Sequence, residues 1–162
     1  MCIRDRLDIC SDASQQSIFI ATSLGVFQYE EAKHNLIRHS TTPSNLVYFH
    51  SQSDILLYTT PKGLVKKQLK NGKEQILLYN KEPLKEITTL LIDSREYLWI
   101  GTKNGLYIEK NGEVVDSFDT DPDYHVLSLY EDRSKTIWVG KRTYGAVSIS
   151  LKPVSYTHLT LP

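Results

Sequence analysis

The chain has 162 residues, 40% of them hydrophobic and 10% aromatic, and its 19 basic and 19 acidic residues leave no formal net charge. That balance offers no basic stripe for nucleic acid and no like-charge block of the kind that forms a solvated tail. No apolar run reaches the roughly 18 residues that a membrane-crossing helix needs.

The two ends read differently from the middle. Met1-Cys2-Ile3-Arg4-Asp5-Arg6 resembles the translation of the mosaic-end adapter of transposase-based sequencing libraries. Val154-Ser155-Tyr156-Thr157-His158-Leu159-Thr160-Leu161-Pro162 resembles the same adapter read from the opposite strand. Residues 1–6 and 154–162 are therefore expected to be adapter-derived, and residues 7–153 to be a natural segment cut at both ends. Setting Arg4, Arg6 and Asp5 aside leaves 17 basic and 18 acidic residues, and Cys10 as the one cysteine, with no internal disulfide partner.

Within 7–153, short apolar runs alternate with turn chemistry. Strands are predicted over 7–10, 17–21, 25–29 and 35–39, then over 45–50, 54–59, 63–68 and 74–79. The next set is the clearest. Ile87-Thr88-Thr89-Leu90-Leu91-Ile92 is β-branched and leucine-rich, which suits a buried strand. Asp93-Ser94-Arg95-Glu96 follows as a polar turn in which Asp93 can accept from its own backbone two residues on. Tyr97-Leu98-Trp99-Ile100-Gly101 is a second strand, Asn104-Gly105 a tight-turn signal from two residues that tolerate positive φ, and 105–109 and 113–118 complete the set. Strands over 125–130, 136–140 and 145–150 form a last, incomplete set.

These sets are copies of one repeat. Trp99 and Trp138 lie 39 residues apart, and Gly25, Gly63, Gly105 and Gly145 are spaced by 38, 42 and 40 residues. Phe19 and Leu57 take the tryptophan position in the first two copies. Four antiparallel strands in about 40 residues describe one blade of a β-propeller. The fold class is therefore all-β, a propeller fragment of about 3.75 blades over residues 7–42, 43–82, 83–121 and 122–153. Trp99 and Trp138 are read as core that fills the space between neighbouring blades. The small residue two places on (Gly101, Gly140, Ala21) lets a neighbour approach closely.

Asp93…Leu98-Trp99-Ile100-Gly101-Thr102…Asn104-Gly105-Leu106 and Glu131-Asp132…Ile137-Trp138-Val139-Gly140…Gly145 resemble the two-component regulator propeller repeat. The first two copies depart from it at Phe19 and Leu57, the second has Thr59 for the glycine, and the fourth has Lys141 for the threonine. The resemblance implies a ligand-sensing, possible glycan-sensing, module in the extracytoplasmic (periplasmic) region of a hybrid histidine kinase anchored in the inner membrane. It also implies missing blades, downstream signalling domains and a dimeric parent. A protein-interaction scaffold and part of a propeller enzyme such as a lyase stand as alternatives.

No Cys/His metal spacing, nucleophile elbow or phosphate-cradling loop is present, so the fragment itself is expected to be non-enzymatic and to need no cofactor or metal. Nor is it expected to contact nucleic acid or membrane directly. His34, His39, His50 and His125 fall at different repeat positions and read as surface or structural histidines. Asp119, Asp121 and Asp123 lack the downstream glycine and glutamate of a calcium loop. If a ligand binds, the loops at one mouth of the channel would hold it: residues 121–125 between blades, Asp121, Tyr124 and His125 above all, and Lys103-Asn104 and Arg142-Thr143-Tyr144 between second and third strands. Tyr144 is one residue more than the local repeat needs, and beside Arg142 it suits stacking on a sugar.

Overall fold

The computed structural model describes residues 6–12, 16–118, 124–143 and 145–150. These fall into two compact units, Met1–Lys85 and Glu86–Pro162.

In the first unit, β1 (Arg6–Asp12), β2 (Ser17–Thr22), β3 (Gly25–Glu30) and β4 (Asn35–Ser40) pair antiparallel in chain order. A second sheet follows: β5 (Val47–His50), β6 (Ile55–Thr60), β7 (Gly63–Gln68) and β8 (Glu74–Ile76). Period-2 alternation places Phe19, Ala21 and Val26 on one face of the first sheet, where Val47, Phe49, Leu56, Tyr58 and Val65 of the second close over them. Phe19 stacks on Phe49 with ring centroids 4.4 Å apart. Phe19 thus fills the place that tryptophan holds in the later copies.

The fourth strand of this second sheet is shorter than the predicted run 74–79. The strand ends at Ile76, and Leu77 beyond it is buried at 1% exposure with its N–H still donating to the Leu64 carbonyl at 2.9 Å. β9 (Leu78–Tyr79) then pairs with β10 (Glu82–Pro83) instead. The two-residue loop between them, Asn80-Lys81, has φ of 53° and 68°, the doubly positive geometry of a hairpin turn.

In the second unit, β11 (Ile87–Ile92), β12 (Leu98–Thr102), β13 (Leu106–Lys110) and β14 (Glu113–Phe118) form a four-stranded sheet. β15 (Val126–Glu131), β16 (Ile137–Lys141) and β17 (Ala146–Ile149) form a three-stranded one. Trp99, Leu106 and Ile108 of the first of these pack against Val126, Ile137 and Val139 of the other, all nearly or wholly buried. Gly101 is required here: a Cβ would lie 2.6 Å from both Thr89 Cγ2 and Val126 Cγ1. In the second copy Thr59 replaces that glycine, and its Oγ1 instead accepts from the N–H groups of Asn45 (3.1 Å) and Leu46 (3.2 Å).

The acidic turn does more than reverse the chain. Asp93 Oδ1 accepts from the N–H groups of Arg95 and Tyr97, both at 2.9 Å. Its Oδ2 accepts from the Trp99 indole N–H at 3.0 Å. Asp132 repeats the pattern with Ser134 N–H (2.8 Å), Thr136 N–H (3.0 Å) and the Trp138 indole (2.8 Å).

The Asn104-Gly105 turn corrects the sequence reading, since neither residue enters positive φ. Thr102 organises it: its Oγ1 donates to the Gly105 carbonyl at 3.0 Å and accepts from Asn104 N–H at 3.1 Å. Thr22 with Gly25 and Thr60 with Gly63 make the same pair of bonds.

Candidate functional site

Of the five residues singled out as ligand-binding, Tyr124, His125 and Arg142 are described, whereas Asp121 and Tyr144 lie outside the described residues, as do Asp119 and Asp123. The second unit does bring its loops together. Arg142 N–H donates to the His125 carbonyl at 2.9 Å, joining the β16–β17 loop to the segment leading into β15. Tyr124 stacks near-parallel on Phe118, centroids 6.4 Å apart, and the Lys141 ammonium sits 4.5 Å from its ring centroid. Tyr124 and His125 are half-buried while Arg142 is exposed.

Next to them is a carboxylate that the sequence reading did not single out. Glu86 Oε1 pairs with the Lys103 ammonium at 3.2 Å, and Oε2 accepts from the Asn104 side-chain amide at 3.0 Å. The Lys103 hydrogen bond, its charge and the Asn104 amide hold the Glu86 carboxyl below its usual range, and the charge of His125 acts in the same direction. Lys103 N–H also donates to the Glu86 carbonyl at 3.0 Å. The edge therefore presents Glu86, Lys103, Asn104, His125 and Arg142, with Tyr124 as its aromatic element. Such a surface can exchange hydrogen bonds with a polyhydroxylated ligand.

A second place was not anticipated. The first unit contains a cavity of about 500 Å³, lined among others by Arg38, His39, Thr42, Tyr58, Lys62 and Glu74. Its polar groups are braced. The Arg38 guanidinium donates to the Leu24 carbonyl at 2.6 Å and lies 5.4 Å from the Phe27 ring centroid. Lys67 pairs with Glu74 at 2.8 Å and donates to the His39 carbonyl at 3.1 Å. Gln28 joins His39 (2.8 Å) to Ser17 (3.1 Å) in a chain of side chains behind the wall. Burial, and then the Lys67 charge, push His39 below its ordinary value of 6.5. Burial, and then Glu74, raise the Tyr58 hydroxyl to about 12, so it remains protonated at neutral pH. No local motif marks this cavity, because its walls come from two different copies of the repeat.

Among the described residues, no helix is long and apolar enough to cross a membrane. Residues 81–104 match the family model described as two component regulator propeller. That stretch covers the acidic turn, the Trp99 strand and the Thr102 turn. No curated protein sequence matches the chain. The extracellular domain of BT3049 from B. thetaiotaomicron, described as a hybrid two component system, is similar in fold (TM-score 0.70, 22% identity, 92% of this chain and 22% of that one). The extracellular domain of BT4673 from the same organism is similar too (TM-score 0.66, 17% identity, 88% of this chain and 21% of that one). So is the WD40 β-propeller domain of Doa1 (TM-score 0.70, 10% identity, 91% of this chain and 51% of that one). The fold is that of a β-propeller, and the chain spans about a fifth of the length of the two extracellular domains.

Proposed function

We propose that this β-propeller chain, which carries the two component regulator repeat at residues 81–104, is a ligand-sensing module from the extracytoplasmic region of a two-component or hybrid histidine kinase signalling protein. The repeat match is the observation that carries the reading, and the extracellular signalling domains of like fold support it. In this reading the module works in the periplasm, binds and does not catalyse. Its ligand class is an oligosaccharide, held by hydrogen bonds from the Glu86–Lys103–Asn104 group and Arg142. Ligand binding shifts the geometry of the propeller or of a dimeric parent, and a kinase elsewhere in that parent responds.

Isothermal titration of the chain against a panel of neutral and acidic oligosaccharides tests this. Saturable binding to at least one is expected, weakened about tenfold or more by Arg142→Ala or Lys103→Ala, as loss of one charge-assisted contact predicts. Arg38→Ala is expected to leave it unchanged; loss with that variant instead would move the ligand to the cavity of the first unit. Absence of saturable binding to every member of the panel would sink the reading.

A further inference from the structure

The cavity of the first unit has a sign as well as a volume. Its walls come from the end of β4 and the segment after it on one side, and from β6, β7 and β8 on the other. Both sheets that supply them carry all four strands. Three ionised side chains line it, Arg38, Lys62 and Glu74. His39 adds no charge at neutral pH, because burial holds its imidazole below the ordinary 6.5.

The one carboxylate is already compensated. Glu74 pairs with Lys67 at 2.8 Å, and the Tyr58 hydroxyl donates to it at 3.4 Å. The two cations are not. Among the described residues neither Arg38 nor Lys62 pairs with a carboxylate. Arg38 is nevertheless fixed in place. Its Nη2 donates to the Leu24 carbonyl at 2.6 Å and its Nε to the Ser40 carbonyl at 3.3 Å, with the Phe27 ring 5.4 Å away. Those bonds use only part of the guanidinium fork, and the N–H groups left over are preorganised for an oxyanion.

Below the cations the lining turns apolar. Tyr58 and Val65 are buried there, and Ile76 of β8 stands beside them, 39% exposed. The volume of about 500 Å³ lies within the range of small-molecule sites, about 300–1,000 Å³. We propose that this cavity binds a small organic anion, its oxyanion head between Arg38 and Lys62 and its apolar body over Tyr58, Val65 and Ile76. The site lies wholly in the unit Met1–Lys85 and shares no residue with the Glu86–Arg142 edge. It stands or falls separately from the oligosaccharide reading.

Chemical-shift titration of the isotope-labelled chain at neutral pH tests this with three probes. Benzoate carries a carboxylate on an apolar ring, benzamide keeps the shape without the charge, and inorganic phosphate is an oxyanion without a body. Saturable shifts with benzoate are expected at the amides of residues 38–42 and 58–65, with benzamide and phosphate each about tenfold weaker or more. Arg38→Gln should weaken benzoate about tenfold, as loss of a charge-assisted contact predicts. Lys62→Gln should weaken it by about threefold or more, and it keeps the test independent of folding, since that exposed ammonium holds no bond of the fold among the described residues. No saturable benzoate shift, shifts confined to residues 86–150, equal binding of benzamide or of phosphate, or benzoate affinity unchanged in Lys62→Gln would each overturn the proposal.

Discussion

Both carboxylate oxygens of Asp93 are occupied, one by two backbone N–H groups and the other by the Trp99 indole and, at 3.0 Å, the Arg95 guanidinium. Replacing Trp99 by Phe keeps an aromatic ring but removes one donor to a carboxylate that is 1% exposed. Hydrogen bonds to buried charged groups contribute about 2 kcal/mol, so Trp99→Phe should lower unfolding free energy by about that much, with some packing loss added. Trp138→Phe, at a solvent-facing copy of the same bond, should cost clearly less, and urea denaturation of the two variants makes the comparison. The sequence shows an acidic turn and a core tryptophan separately. Their bond was hidden because it depends on the turn geometry. One signal does exist: both pairs are six residues apart, while the first two copies hold Ala13 with Phe19 and Ser51 with Leu57, losing both members together.

His39 offers a second test at this scale. Burial, and then the Lys67 charge, lower its folded pKa from 6.5, so the unfolded chain takes up the proton first as pH falls. The stabilisation is therefore complete above about pH 6.5 and is lost as pH falls through that value toward the lower folded one. Wild-type stability should drop more between about pH 7.5 and pH 5 than that of His39→Gln, since both share every other titrating group. Parallel drops in the two denaturation midpoints would count against this role for the imidazole.

At the scale of elements, threonine rather than glycine sets the turn between second and third strands. Thr22, Thr60 and Thr102 each donate to the carbonyl of a glycine three residues on and accept from the N–H two residues on. Thr102→Val keeps the β-branched shape but deletes both bonds. About 1–2 kcal/mol of stability should be lost, measured by thermal or urea unfolding, with the strands unchanged by circular dichroism. The fourth copy has Lys141 here and closes a longer turn through its own N–H, bonded to the Gly145 carbonyl at 2.8 Å. Strand positions were legible because apolar alternation and turn residues act locally. The end of β8 at Ile76 was not, because 78–79 pairs with 82–83 through a turn in which Asn80 and Lys81 both take positive φ, and no glycine there announces it.

At the scale of the molecule, the period of about 40 residues was enough to read four successive antiparallel sheets. The candidate sites were less legible. Arg142 and His125 were expected to lie together and are bonded through the backbone, but Glu86, which holds Lys103 and Asn104, belongs to no repeated motif. The cavity of the first unit was invisible for the same reason: β4 and the β6–β7 turn come from different copies, and nothing in either stretch announces the other.

The two tryptophans carry one more consequence. Both stand in the unit Glu86–Pro162, and the chain has only these two. Indole emission is therefore an optical label for that unit alone, already in place, with one fluorophore shielded from water and one partly wetted. Far-ultraviolet dichroism, by contrast, sums the strands of both units. Following the two signals through one denaturant series separates the melting of Glu86–Pro162 from that of Met1–Lys85 without attaching a dye. Coincident curves would mean that the two halves of the chain unfold as one.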